Sequence, residues 1–176
     1  MSFVECLDDP AQRQMYDYWQ GKRAARRMPS RRDIDPVDIP RLLPNILISE
    51  VVPGPAGVRY RYRLAGTAVA RAFGRDPTGR FVDELTNGAY RDFIIGLHRT
   101  VCEERRALFC ESRYLAQPEL DMAVKRLLLP VSHDDDHVNQ VISLLVFRFG
   151  SKRPVTIELD HMDGATSHAE PVLAEI

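Results

Sequence analysis

The stretch Val58-Arg59-Tyr60-Arg61-Tyr62-Arg63-Leu64 constrains the fold more than any other part of the chain. Apolar and cationic residues alternate without a break, and a period of two is met only by a β-strand with one covered face. The side carrying Val58, Tyr60, Tyr62 and Leu64 is expected on a core, and the arginines in water or against a partner. A second extended segment, "ILISEVV" from Ile46, precedes it, and "PGPAG" between the two is turn material, so the pair predicts an antiparallel hairpin.

A strand of this kind cannot stand alone, and the remaining pattern supplies its neighbours. Asp9 before Pro10 is a helix start, followed by Met15, Tyr18 and Trp19 at helical spacing, and Asp35-Pro36 repeats the signal for a shorter helix. After the hairpin, Thr67 is expected to cap a short helix through Phe73, and "FVDEL" to make one more turn. Tyr90, Phe93, Ile94, Leu97 and Val101 mark a longer amphipathic helix ending near Arg106. Three β-like segments follow, "ALFCESRYLA", "MAVKRLLLPVS" and "VNQVISLLVFRF". The last is apolar on both faces and is expected at the centre of the sheet. The division expected is a helical extension over residues 1–45, a core over 46–150 and a loosely held tail over 151–176.

The chain has 176 residues, enough for one domain, with 44% hydrophobic and 28% charged residues and a net charge of −1. That balance argues against general nucleic-acid binding. No apolar run reaches membrane-spanning length, and the N-terminus lacks the form of a secretion signal. Cys6, Cys102 and Cys110 are odd in number and without ligand spacing, as for reduced thiols in the cytoplasm, where the protein is expected.

"GRDPTGRF", residues 74–81, is close to a phosphate-binding loop. Arg80 and Phe81 replace the lysine and the hydroxyl such a loop needs, and Pro77 removes a backbone donor. A turn is therefore expected, with glycine at 74 and 79 for positive φ and Phe81 directed inward.

The order of elements resembles that of a PAS domain: N-terminal helices, two strands, short helices, one longer helix and three strands. The likeness to small single-PAS proteins of alphaproteobacteria is closer, through Trp19, "MPSRRDIDP", "LLP" at 42–44, "RLAGT" at 63–67 and "FGRDPTGRFVDEL" at 73–85. The resemblance implies an α+β fold, with a five-stranded antiparallel sheet, helices on one face and an N-terminal helical extension. It also implies a stand-alone sensory or regulatory module that acts through protein contacts. The partners expected from it are histidine-kinase signalling proteins and a second copy of the chain, with the stripe of Met15, Tyr18 and Trp19 either pairing two copies or folding back over its own sheet.

The resemblance also implies a chamber between the sheet and the long helix. Phe73, Phe81, Phe93, Leu97 and His98 are the candidates to line it, either around a small apolar metabolite or as plain core. The cofactor is left open. No Asn-Cys-Arg-Phe setting for a flavin-reactive cysteine is present, and His98 is the one histidine placed on the long helix where a haem ligand would be. "HDDDH", with His133 and His137, offers metal-ligand types, but it also reads as a solvated hairpin tip, and no metal is expected. Lys22, Arg23, Arg26, Arg27, Arg31 and Arg32 form a basic stretch that is either solvated or a contact for an acidic partner or nucleic acid. An enzyme would need an acid or base inside the chamber. Asp92 and Glu111 are the candidates, and no catalytic serine arrangement accompanies them, so none is expected.

Overall fold

Antiparallel pairing organises the chain, which a computed structural model describes over residues 2–115, 121–149, 166–168 and 170–175. The strands β1 (Ile46–Gly54), β2 (Gly57–Ala65), β3 (Leu108–Leu115), β4 (Asp121–Ser132), β5 (Val138–Phe149) and β6 (Thr166–His168) form one sheet in the order β2-β1-β5-β4-β3-β6. A further short strand, β7 (Val172–Leu173), also pairs with β3. The five strands expected from the sequence are present, and β5 lies between β1 and β4, as its two apolar faces require.

The tail departs from expectation. Segments of it pair with the edge of β3, with Ser112 opposite His168 and Leu108 opposite Leu173, and Ala174 is buried where its N–H meets the Ala107 carbonyl. The apolar Val172 and Leu173 and the unpaired edge of β3 together provide the reason. Of the expected tail, residues 151–165, 169 and 176 lie outside the described residues.

Opposite faces of the sheet carry different helices. α5 (Gly88–Glu104) covers the face bearing Leu47, Leu128 and Leu145. α2 (Pro10–Arg23) covers the other, where Met15 approaches Ile46, Ile48 and Ile142. Asp9 caps α2 by accepting from the Ala11 N–H at 2.9 Å, and Pro10 occupies the first turn. Tyr18 of the expected stripe is half-buried with its hydroxyl accepting from the Asp35 N–H at 2.9 Å, whereas Met15 and Trp19 are buried over their own sheet and Tyr16 joins them. Burial of each such side chain contributes about 1.5–3 kcal/mol. The Trp19 indole donates to the Pro130 carbonyl at 2.9 Å and pins the helix to β4. An additional turn, α1 (Phe3–Cys6), places Phe3 and Leu7 in the same core.

Tyr60 and Tyr62 are buried while Arg59, Arg61 and Arg63 are exposed, which agrees with the alternation. Val58, beside the hairpin turn, is 51% exposed, and Leu64 does not follow the alternation either. Tyr62 is opposite Ser49 but Leu64 is opposite Ile48, so Arg63 is an extra residue at a bulge. A one-residue slip reverses every following side chain, and Leu64 is turned to the α2 face, where it is 44% exposed.

Two short helices, α3 (Thr67–Ala72) and α4 (Val82–Leu85), join the hairpin to α5. Gly66, not Thr67, is the N-cap of α3, because the chain passes so close to Leu43 that a Cβ at 66 would lie 2.2 Å from its carbonyl oxygen. Gly74 and Gly79 have φ of 67° and 85°, and the turn between them is fastened by Asp76 to Thr78. The segment then pairs with the outer edge of β2, with Gly79 N–H on the Tyr62 carbonyl and Tyr62 N–H on the Arg80 carbonyl. The near-phosphate motif thus protects a sheet edge.

Candidate functional site

The side chains between α5 and the sheet form the most polar part of the interior. α5 ends with Arg105 in the left-handed region, and its inner stripe of Tyr90, Ile94, Leu97, His98 and Val101 is buried. Phe73, Leu97 and His98 line a cavity of about 20 Å³ with Tyr62, Tyr90 and Arg126. That volume holds one water molecule. Phe93 is half-buried outside this cavity, its ring centroid 6.0 Å from the Arg126 guanidinium. Phe81 is placed elsewhere. It lies at the edge of β2, its ring covered by the Arg59 guanidinium at 3.8 Å, because residues 79–81 pair along that edge and direct the side chain toward the arginine row.

His98 is held at both ring nitrogens. Nδ1 lies 2.8 Å from the Ile94 carbonyl and Nε2 lies 3.1 Å from Ser49 Oγ. A carbonyl only accepts, so Nδ1 carries the proton and donates, and Nε2 accepts from the serine hydroxyl. Burial lowers the imidazole pKa to about 4, which keeps the ring neutral. Tyr60 packs against it with ring centroids 4.8 Å apart and planes tilted by 36°. Burial raises the phenols of Tyr60 and Tyr62 well above their ordinary range and pushes the Cys102 thiol up to about 11, so this wall contains no thiolate nucleophile at neutral pH.

Arg126 is a candidate site residue that the sequence did not disclose. It is only 6% exposed, and it donates to Ser112 Oγ at 2.8 Å and to the Tyr90 hydroxyl at 3.4 Å. Its neighbour Lys125, on the opposite face, donates to both carboxylate oxygens of Asp8 at 2.6 Å. β4 lies between β5 and β3, a placement that only the sheet order reveals, and it leaves both cations covered.

The other candidates lie apart. Asp92 is exposed and paired with Arg91, and Glu111 is half-buried with Lys125 and Arg113 nearby. His133 and His137 are at the tip between β4 and β5. There Asp134 accepts from the His137 and Asp136 N–H groups and from Ser132, and these bonds hold its carboxyl far below the usual range. Asp135 also accepts from the backbone N–H groups of Arg27 and Met28, which ties the tip to the segment after α2. Among the described residues no group of three or more histidine, cysteine, aspartate or glutamate side chains is arranged to hold a metal ion. Within the basic stretch, Lys22 pairs with Asp38 and Arg26 with Asp33. No helix among the described residues is long and apolar enough to cross a membrane.

Comparison with known proteins gives one assignment. A family model described as "PAS domain" matches residues 7–146, from the end of α1 into β5. Among curated proteins, none matches the chain.

Proposed function

The chain belongs to the PAS domain family, and on that footing we propose that it is a sensory or regulatory module whose input is the chamber beneath α5 and whose output is a protein contact. Sensing and signal transduction, commonly through protein–protein contacts, are the work of this family.

The observation that carries the reading is the pair of buried polar side chains, Arg126 and His98, facing one cavity beneath α5. A guanidinium and a neutral imidazole in the core cost stability that aliphatic residues would not, and such groups concentrate where a site has to recognise something. The chamber would take a small molecule with an apolar body against Phe73 and Leu97 and one polar group toward Arg126. With about 20 Å³ open, entry requires α5 to move outward, carrying Phe93. That movement converts occupancy into a change of shape.

The output in this proposal is a histidine-kinase signalling protein, met by the N-terminal segment over residues 1–45. With Met15 and Trp19 engaged by the sheet, pairing of two copies would use the exposed side of that segment, where Val37 is 81% exposed. The spread of family-like motifs from Trp19 to Leu85 supports a place near the small alphaproteobacterial PAS proteins.

Native mass spectrometry of the purified chain tests the input. The expected result is a small adduct that is lost on denaturation and is depleted in Arg126→Leu. A bare mass from every preparation, together with no added mass after incubation with an extract of small metabolites, would exclude the chamber as an input site.

A further inference from the structure

The opposite face of the sheet carries a larger opening that the chamber does not explain. Met15 of α2, Ile39 from the segment after it, Ile48 and Leu64 of the hairpin and Ile142 of β5 enclose a groove of about 420 Å³. Pockets that hold small molecules run from roughly 300 to 1,000 Å³ and are mostly apolar with few polar groups. Here the polar side chains are Arg31 and Thr67.

Arg31 gives the groove its chemistry. Its guanidinium donates to the Ile34 carbonyl at 2.8 Å, and no carboxylate lies within ion-pairing distance of it among the described residues. Lys22 and Arg26, from the same basic stretch, have Asp38 and Asp33 as partners. A cation with spare donors beside an apolar trough matches an aliphatic chain that ends in an anion. Leu64 belongs to this site only because of the bulge at Arg63, which turns a large apolar residue into the groove at the cost of leaving it 44% exposed.

We propose that this groove binds a medium-chain carboxylate, its alkyl chain along Ile48, Leu64 and Ile142 and its carboxylate on Arg31. The site is separate from the chamber, since side chains at 46 and 48 point to one face of β1 and that at 47 to the other.

The test uses the full chain, a dansyl-labelled fatty acid as the fluorescent probe, and decanoate or decanol as competitor. Decanoate is expected to displace the probe. Arg31→Gln is expected to weaken decanoate about fivefold, the effect of a partly exposed ion pair, and to leave decanol unchanged. Leu64→Glu is expected to weaken both, whereas Arg126→Leu, in the chamber, leaves both as they were. Both groove positions are partly exposed, so these variants keep the fold. Failure of decanoate to displace the probe, or a decanoate affinity in either Arg31→Gln or Leu64→Glu equal to that of the unsubstituted chain, overturns the proposal. So does a dimer that Leu64→Glu dissociates while decanoate fails to compete, because the groove is then an interface between copies.

Discussion

His98 Nε2 accepts from Ser49 Oγ at 3.1 Å, so a residue of α5 and a residue of β1 are joined through the core by one hydrogen bond. Its other nitrogen is already committed to Ile94 in its own helix. Ser49→Ala leaves a buried ring nitrogen without a donor, and an unsatisfied buried group costs about 1–3 kcal/mol. Chemical denaturation should show a loss in that range. A loss below about 0.5 kcal/mol, as for a surface substitution, would mean that the two elements are not joined there.

The same imidazole makes stability depend on pH. The unfolded ring takes up a proton near its ordinary pKa of 6.5, and the folded ring only near 4. The unfolded state binds more protons across that window, so stability rises with pH through it and falls on acidification, by about 3 kcal/mol in all. His137 works in the opposite sense. Its hydrogen bond to Asp134 raises its pKa, and that contribution fades as pH increases, so a His137→Asn background removes the opposing slope. Urea midpoints measured from pH 7 to 4.5 in that background should fall steadily, and adding His98→Gln should flatten the slope. An unchanged slope would show that His98 is not the group responsible.

Gly66 is required by space. A Cβ there would lie 2.2 Å from the Leu43 oxygen and 2.4 Å from the Pro44 oxygen, both backbone atoms with no freedom to withdraw. Gly66→Ala should cost about 3 kcal/mol or more. Gly21→Ala, with nothing within 4 Å of the added carbon, should be neutral or stabilising. Thermal melts of the two variants should differ in sign or by several degrees, and equal melts would contradict the close approach.

The Lys125–Asp8 pair is unequal. The lysine side chain is 9% exposed and the aspartate 57%. Lys125→Met leaves a carboxylate that water can solvate, whereas Asp8→Ala leaves a buried ammonium whose one remaining carboxylate among the described residues is Glu111 at 3.8 Å. Asp8→Ala should therefore be the more damaging, by about 1–2 kcal/mol. The reverse order in denaturation experiments would mean that the lysine head reaches solvent.

Much of the fold was legible because the sheet is antiparallel and its strands carry period-two or doubly apolar patterns, with Asp-Pro helix starts and glycine turns between them. The exceptions have local causes. Leu64 followed the alternation on paper, but a single inserted residue reversed it, and pattern alone does not reveal a bulge. The short edge strands after residue 165 have too few residues for a periodic signal. Of the expected chamber residues, Phe73, Leu97 and His98 meet around one cavity. Phe81 is drawn to the sheet edge by backbone pairing that no side-chain pattern encodes. Arg126 is not legible as a site residue because a charged residue in a strand is ordinarily solvated, and only the sheet order shows that it has no such exit.

Hydrogen exchange in α5 tests the central claim most directly. The chain as purified is compared with the same chain after unfolding, dialysis and refolding, which strips any small molecule from the chamber. The account predicts faster exchange from Ile94 to Val101 after stripping, and slower exchange once the dialysed material is returned. Identical exchange in the two preparations, with identical native masses, would contradict it.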